Sequence, residues 1–282
     1  MPLHPKLDAA FQKSQVLKVI IGLSNFNLLD IIQKVQAAEL GNATYVDIAA
    51  NVDILQEVLQ MSSLPICVSS IDIDELVLCY KAGADIIEIG NFDVFYDKGI
   101  AFSEHQVLEM TKELITKTPG STICVTIPHT LNFSTQIRLA QQLEYLGVDL
   151  IQTEGISTQS ESLDYLDQSI CNASAALSGT YVFSKYVSIP IISSSGINSL
   201  TAPMAISYGA SGVGIGSFFN TFSNSKELSS NIQSIVSSLK EAQLIHPDVM
   251  RLPLNYLTAC SNKLYLPENL SSHFSLSRDI YL

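Results

Sequence analysis

Eight short runs rich in Val and Ile recur along this 282-residue chain, and the segments between them leave room for helices. Runs this continuously apolar are typical of strands buried on both faces, as in a parallel sheet. Eight strand-and-helix units match a closed (β/α)₈ barrel, or TIM barrel, which takes about 250 residues. The predicted strands span residues 17–22, 45–49, 66–69, 86–89, 123–127, 150–152, 191–193 and 212–215.

The segments that lead into the strands alternate in type along the chain. The even-numbered strands follow a glycine that ends the preceding helix, at positions 41, 83, 147 and 209, whereas strands three and seven follow Pro65 and Pro190. Such glycines end helices in a left-handed conformation, and proline is tolerated where a strand begins. A two-strand unit repeated four times predicts a closed barrel. A doubly wound open sheet is the alternative, but no G-x-G-x-x-G turn follows the first strand.

The predicted barrel accounts for residues 1–242. Residues 243–282 form a C-terminal extension that Pro247, Pro253 and Pro267 punctuate. We interpret this extension as a segment that packs on the barrel or forms an interface. A homo-oligomer is therefore among the expected assemblies.

Charge and composition exclude several classes of partner. Lys and Arg number 15 against 27 Asp and Glu, a net charge of −12, so the basic footprint of a nucleic-acid-binding protein is missing. The apolar runs are too short for a membrane span. The five cysteines form no C-x-x-C pair, which predicts reduced thiols and no zinc site. We expect neither a nucleic-acid nor a membrane partner, and no bound metal.

The first six residues, Met-Pro-Leu-His-Pro-Lys, resemble no targeting signal. They lack the apolar core of a signal peptide and the Arg- and Ser-rich character of a transit peptide. We therefore expect the protein to act in the compartment where it is made.

Two adjacent strand ends carry the pattern of a phosphate site. Strand seven ends in Ser195-Gly196, and strand eight contains Gly214 and ends near Gly216-Ser217. Glycine lets backbone N–H groups approach an anion, and a helix N-terminus adds a favourable dipole. Because the acidic chain repels anions at long range, these backbone donors would have to hold the phosphate. The alternative is that the glycines only form tight turns.

Side-chain alternation along the strands predicts which polar groups face the barrel axis. It directs Lys18, Asp47, Glu88 and Gln152 inward, with Glu154 at the end of strand six. Lys18 is either part of a buried ion pair or a general base or Schiff-base lysine.

The candidate proton-transfer residues are Glu88, Glu154, Lys18 and His129, which follows strand five. Glu88 is the preferred acidic candidate, and a long connection that carries Tyr96 and Lys98 follows its strand. The candidate substrate-binding residues are Asp47, Asn91 and Gln152, together with the two glycine-containing strand ends. Each of these residues has a simpler interpretation as a polar loop or core residue.

Six stretches together resemble one family, at residues 17–22, 46–50, 88–93, 128–130, 152–155 and 201–205. The family is the hypothetical chloroplast reading frame family, number twenty-three, of algal plastid genomes and cyanobacteria. The resemblance covers roughly residues 1 to 240. It implies a chloroplast location and an aldolase-type barrel, and it implies no particular activity.

The last two strands also resemble those of phosphate-binding barrels such as sugar-phosphate epimerases, thiazole synthase and flavin-dependent oxidoreductases. Those barrels often have Gly-Gly at the end of strand seven, where this chain has Ser195-Gly196. This departure weighs against FMN. Three functions follow as alternatives: an enzyme that performs proton-transfer or lyase chemistry on a small phosphorylated metabolite, a non-catalytic metabolite-binding regulatory barrel, and an FMN-binding enzyme.

Overall fold

Eight parallel strands form one closed barrel in the computed structural model, which describes residues 5–245 except 91, 97, 156–163 and 223. Each strand pairs with its neighbours in chain order, and β8 pairs with β1 to close the sheet. The predicted TIM barrel is therefore confirmed, and the open-sheet alternative is wrong. The strands are β1 Val16–Gly22, β2 Tyr45–Ala49, β3 Ile66–Ser70, β4 Ile86–Ile89, β5 Thr122–Thr126, β6 Leu150–Gln152, β7 Ile191–Ser194 and β8 Gly212–Ile215.

Helices connect successive strands, and a further helix precedes β1. The helices are α1 Pro5–Gln12, α2 Leu28–Leu40, α3 Val52–Met61, α4 Ile73–Ala82, α5 Asp93–Tyr96, α6 Glu104–Lys117, α7 Phe133–Leu146, α8 Tyr165–Phe183, α9 Ala202–Ser207 and α10 Ser225–Ile245, with a 3₁₀ helix at Ser217–Thr221. None of those within residues 5–245 combines the length and apolar character that a membrane crossing needs. Residues 246–282, most of the predicted extension, lie outside the described residues.

Glycine ends three of the four helices in the predicted manner. Gly83, Gly147 and Gly209 have φ of +106°, +89° and +102°. The prediction is wrong for Gly41, which has φ −78°, while Asn42 takes the left-handed turn at φ +60°. Glycine is needed at position 41 because a Cβ atom there would lie 2.5 Å from Cγ2 of Ile232 in α10. Close helix packing, rather than backbone angle, selects glycine at this position.

The barrel interior changes from apolar to polar along its axis. Leu7 and Phe11 of α1 pack against the layer nearest the amino-terminal strand ends. The strand residues of this layer are Val16, Tyr45, Cys67, Ile86, Cys124, Leu150 and Ile192. Because inward positions recur every second residue, the next layer holds the inward residues two positions further along. These are Lys18, Asp47, Ser69, Glu88, Thr126, Gln152 and Ser194, all buried. Apolar side chains thus fill the amino-terminal end of the barrel, and a polar layer lies between them and the carboxyl ends of the strands.

Candidate functional site

A cavity of about 490 Å³ opens at the carboxyl ends of the strands. Its lining includes eight residues that the sequence analysis selected: His129, Gln152, Glu154, Ser195, Gly196, Gly214, Gly216 and Ser217. The other lining residues are Ile20, Leu23, Tyr96, Thr126, Thr153, Gly155, Ser194 and Ile197. Both glycine-containing strand ends therefore meet the candidate proton-transfer residues His129 and Glu154 in one space.

The turn after β7 is tightly packed. Ser195 and Gly196 have φ of +84° and +69°, and the Ser195 hydroxyl donates to the carbonyl of Gly155 at 2.5 Å. A Cβ atom at position 196 would lie 2.1 Å from the carbonyl oxygen of Asn172 in α8. Gly196 is thus required by both its backbone angle and its close approach to α8. A left-handed serine is uncommon, and such conformations concentrate at functional sites.

Gly216 leads from β8 into the 3₁₀ helix that begins at Ser217. Its φ is −124°, outside the left-handed region, so the backbone angle does not require glycine here. A Cβ atom would instead lie 3.2 Å from Cβ of Ile20, which lines the same cavity. The first N–H groups of a helical turn have no acceptor within the turn. Gly216 therefore leaves space next to these backbone donors.

Glu154 orients His129 through a carboxylate that accepts three hydrogen bonds. Oε2 of Glu154 lies 2.9 Å from Nδ1 of His129, accepts the His129 backbone N–H at 3.1 Å, and accepts the Tyr96 hydroxyl at 2.6 Å. The rings of Tyr96 and His129 meet edge to face, with centroids 4.8 Å apart. In the neutral imidazole this carboxylate fixes the proton on Nδ1, which leaves the lone pair on Nε2. His129 and Glu154 have the arrangement of a base with its orienting acid.

Nε2 of His129 is buried and has no hydrogen-bond partner among the described residues. A second cavity of about 380 Å³ lies against α7 and α8, and His129, Thr153 and Glu154 line both cavities. The His129 side chain therefore lies in the wall between the two cavities. An unpaired buried nitrogen is costly unless a ligand or water satisfies it, and such atoms concentrate where chemistry is done.

Lys18 lies at the centre of a fully buried cluster below the cavity. Its Nζ is 2.7 Å from Oδ2 of Asp47 and 2.7 Å from Oε2 of Glu88, and it donates to Oε1 of Gln152 at 2.9 Å. The Asp47 contact is an ion pair without the alignment of a hydrogen bond. The other oxygen of Asp47 accepts the Ser69 hydroxyl at 2.6 Å. The three side chains that contact the ammonium group thus all lie inside the barrel.

Gln152 and Thr126 connect this cluster to the cavity. Nε2 of Gln152 donates to Oε1 of Glu88 at 2.8 Å and to the Thr126 hydroxyl oxygen at 3.2 Å. The Thr126 hydroxyl in turn donates to Oε1 of Glu88 at 3.1 Å. Gln152 and Thr126 line the cavity, whereas Lys18 and Glu88 are absent from its lining. Among the described residues of the cluster, these two side chains are the ones that border the cavity.

The electrostatics of the cluster favour a charged lysine. Burial by itself would lower the pKa of Lys18, but the carboxylates of Asp47 and Glu88 outweigh it and raise that pKa well above 10.5. Burial raises the pKa of Asp47 to about 6, against the opposing effect of Lys18. A permanently protonated amine is a poor base or Schiff-base nucleophile. This geometry matches the buried ion pair that the sequence left as one of two alternatives.

Asp47, Cys67 and Glu88 place ligand atoms within 4.8 Å of one another, a spacing that could hold a metal ion. Nζ of Lys18, however, lies 2.7 Å from both carboxylates, so an ammonium group already occupies the position of a cation. Burial also raises the pKa of the Cys67 thiol well above 9, whereas metals bind the thiolate. These residues do not fit a metal site while Lys18 is charged.

The selected residues thus divide into two groups. His129, Glu154, Gln152 and the glycine strand ends line the cavity, while Lys18, Asp47 and Glu88 lie beneath it. Asn91 lies outside the described residues. Thr126 was not among the predicted site residues, although side-chain alternation along β5 directs it inward. Tyr96 was predicted only as part of the long connection after β4, because folding alone brings it to Glu154, 58 residues away.

Comparison with known proteins identifies close relatives. Residues 3–245 match the family described as "Protein of unknown function (DUF561)". The chain is 45% identical over 217 residues to "Uncharacterized protein ycf23" of Porphyra purpurea, covering 77% of this chain and 82% of that protein. It is 36% identical over 245 residues to the protein of the same name from Cyanophora paradoxa, covering 86% of this chain and 100% of that protein.

Solved structures share the fold at low sequence identity. Thiamine phosphate pyrophosphorylase from Pyrococcus furiosus has a TM-score of 0.56 and 15% identity, covering 82% of this chain and 98% of that chain. A second structure is (S)-3-O-geranylgeranylglyceryl phosphate synthase from Thermoplasma acidophilum in complex with its substrate sn-glycerol-1-phosphate. It has a TM-score of 0.57 and 14% identity, covering 86% of this chain and 100% of that chain. At these identities the likeness shows the TIM-barrel fold alone.

Proposed function

This chain belongs to the ycf23 family of plastid reading frames, and we propose that it binds a small phosphorylated metabolite and transfers a proton on it. The observation that carries the proposal is that His129, Glu154 and both glycine strand ends line one cavity. Within that cavity the phosphate would contact the backbone near Gly196, Gly216 and Ser217. His129 would act on the remainder of the ligand.

The composition of the cavity wall supports backbone recognition of the anion. Among the described residues the lining includes neither Lys nor Arg, so the donors that the wall offers near β7 and β8 are backbone N–H groups and the hydroxyls of Ser194 and Ser217. Glycine at position 216 and the first turn of the 3₁₀ helix favour such an approach. The T. acidophilum neighbour binds a phosphorylated substrate on the same fold. That likeness makes a phosphorylated ligand the reasonable first probe.

His129 is the group best arranged to move a proton. Its Nδ1 is held by Glu154, so Nε2 is the basic nitrogen, and the residue borders the cavity with 14% of its side chain exposed. A base in this position accepts a proton from a C–H or O–H group of the ligand and returns it to the product, with Glu154 stabilising the imidazolium. Lyase chemistry is a variant in which the same proton removal accompanies cleavage of a C–C bond.

We place this activity in the chloroplast, since the relatives carry the name of plastid reading frames. A homo-oligomer remains a prediction. Native mass spectrometry of the untreated protein measures both the number of chains and the mass of any retained metabolite. A retained flavin, visible in the absorbance spectrum, would favour the FMN-binding alternative.

Titration with inorganic phosphate tests the binding part of the proposal. Gly216→Val is expected to abolish binding, because its side chain would fill the space between the backbone and Ile20. Gly179→Ala is the control: a Cβ atom there would lie 3.5 Å from Phe183 of α8 and 3.5 Å from Thr153, which directly follows β6, and both are ordinary contacts. Unchanged phosphate affinity in a folded Gly216→Val variant would show that the glycines only form turns.

The retained metabolite tests the chemical part. The protein is incubated with that metabolite in deuterated water, and exchange of its carbon-bound hydrogens is followed by mass spectrometry. Exchange that His129→Gln reduces by a factor of about 10²–10⁴ is expected of a general base. Binding without exchange, turnover or any effect of His129→Gln would instead favour the non-catalytic regulatory barrel.

A further inference from the structure

The polar floor of the cavity indicates what kind of group the ligand presents to it. Gln152 and Thr126 form this floor, and both are bound from below to the Lys18 cluster. Each side chain has a fixed number of hydrogen-bond donors and acceptors. The donors and acceptors that the cluster does not use remain available to a ligand.

The orientation of the Gln152 amide follows from the chemistry of its partners. Lys18 is an ammonium group, which only donates, and it lies 2.9 Å from one end of the amide. Glu88 is paired with Lys18 and accepts at 2.8 Å from the other end. Only one orientation satisfies both, with Oε1 toward Lys18 and Nε2 toward Glu88. Lys18 and Glu88 thus act as positioning residues for Gln152.

In that orientation Gln152 has no donor left. One Nε2 hydrogen goes to Glu88 and the other to the Thr126 hydroxyl oxygen. Thr126 uses its own hydrogen on Glu88. What remains is one lone pair on Oε1 of Gln152 and one on the oxygen of Thr126. Both are acceptors.

Gly214 leaves the Gln152 acceptor accessible from the cavity. A Cβ atom at position 214 would lie 3.3 Å from Oε1 of Gln152 and 3.0 Å from the Ser194 hydroxyl oxygen. Glycine therefore keeps open the space beside Oε1, and its φ is not in the left-handed region, so backbone angle does not explain the residue. The Ser194 hydroxyl both donates and accepts, so it does not discriminate between ligand groups.

We propose that the cavity floor selects a ligand with a hydrogen-bond donor, a hydroxyl or amine, placed to reach Oε1 of Gln152. This inference rests on the proposed function, in which the glycine strand ends hold the phosphate of the same molecule. The substrate class is then a hydroxylated or aminated alkyl phosphate. A purely apolar phosphate ester would leave the floor unpaired, and an ether would bring a second acceptor against it.

The test uses ω-hydroxyalkyl phosphates of increasing chain length. Each is paired with the alkyl phosphate in which a methyl group replaces the hydroxyl and with its methyl ether, and binding to the full chain is measured calorimetrically. At the chain length that spans the site, the hydroxyl compound is expected to bind about three- to tenfold more tightly than both partners. Gly214→Ala should remove this preference, because its methyl group lies against Oε1. Gly179→Ala should keep it.

The outcomes separate the two proposals. Equal binding of the hydroxyl, methyl and ether compounds at every length overturns the donor preference and leaves the phosphate site intact. A preference that survives in Gly214→Ala overturns the role of Gln152. If inorganic phosphate and all the esters fail to bind, the proposed function itself is wrong. Because the wild-type comparison needs no variant, misfolding of Gly214→Ala would leave the donor preference testable.

Discussion

The barrel interior and the barrel mouth each pair a basic nitrogen group with a carboxylate. The two regions differ in whether that basic group still has an unpaired nitrogen. In the interior, Lys18 is fully buried, with Asp47, Glu88 and Gln152 around its ammonium group. At the mouth, Glu154 holds one nitrogen of His129, and the other nitrogen has no partner among the described residues. A saturated charge fixes structure and orients its neighbours. A base with a free lone pair at a cavity can do chemistry.

This comparison also explains why an ion pair is not by itself a sign of a catalytic site. Removing two carboxylates and an amine from water is costly, and their attraction repays that cost only when the geometry is complete. In the interior cluster, Nζ of Lys18 contacts three oxygens at 2.7 to 2.9 Å, and Asp47 also accepts the Ser69 hydroxyl at 2.6 Å. The dyad at the mouth remains partly exposed, with 14% of His129 and 9% of Glu154 accessible. The four predictions that follow test this difference, in order of decreasing effect.

Lys18→Met is expected to have the largest effect on stability. It leaves Asp47 and Glu88 buried without their cation, and breaking a buried pair in this way typically lowers the free energy of unfolding by about 3–5 kcal/mol. Urea denaturation measures the loss. Lys34→Met is the control, because Lys34 pairs with Asp30 near the surface and should cost less than about 1 kcal/mol. Equal losses in the two variants would remove the distinction between interior and surface pairs.

Glu88→Gln should destabilise the protein by about 2–3 kcal/mol, since it weakens one charged contact and sets an amide N–H against donors. Glu154→Gln, the same change at the mouth, is expected to cost about 1 kcal/mol. Equilibrium unfolding of both variants gives the comparison. A folded Glu88→Gln of unchanged stability with altered ligand handling would instead support Glu88 as a direct catalytic group.

Asp47→Asn separates the pH dependence of the cluster from its packing. Because burial raises the pKa of Asp47 to about 6 in the folded protein, against 3.8 as its ordinary value, the folded state holds this proton more tightly. Wild-type stability should therefore fall relative to Asp47→Asn as pH rises from about 4 to about 6, by roughly 1–3 kcal/mol, and then level off. Unfolding curves of both proteins across this range measure the difference. A constant difference would mean that Asp47 titrates normally.

His129→Gln should change stability least, by about 1 kcal/mol, because a glutamine can still donate to Glu154. The more informative measurement is the tautomer of His129 in the wild-type protein. Long-range ¹H–¹⁵N spectra of the neutral imidazole should show the proton on Nδ1, and Glu154→Gln should give a mixture of tautomers. A proton on Nε2 in the wild type would contradict the assignment of Nε2 as the base.

Local patterns in the sequence identified most of the barrel because they reflect short-range physics. Continuous Val and Ile runs mark strands buried on both faces, and Gly83, Gly147 and Gly209 mark helix ends that need positive φ. Gly41 shows the limit of this inference. Its local pattern matches the others, yet the contact that requires glycine comes from Ile232 in α10, far along the chain.

The candidate site was harder to predict because depth along a strand decides the role of a side chain. Gln152 and Glu154 have the same inward parity, but two residues of strand correspond to about 7 Å along the axis. This distance separates a side chain bound to the Lys18 cluster from one that holds His129 at the cavity. Parity is visible in the sequence, whereas the depth at which the other strands end is not.

By itself, the sequence determined the number of strands, their inward faces and the two glycine-containing strand ends, because alternation and backbone angle are properties of neighbouring residues. The tertiary structure alone decided which polar groups meet. Lys18 and Glu88 are 70 residues apart, and Tyr96 and Glu154 are 58 apart. Their contacts depend on strand register and on closure of the sheet between β8 and β1. Long-range packing of this kind fixed Lys18 inside the barrel and left Nε2 of His129 without a hydrogen-bond partner in the described part of the chain.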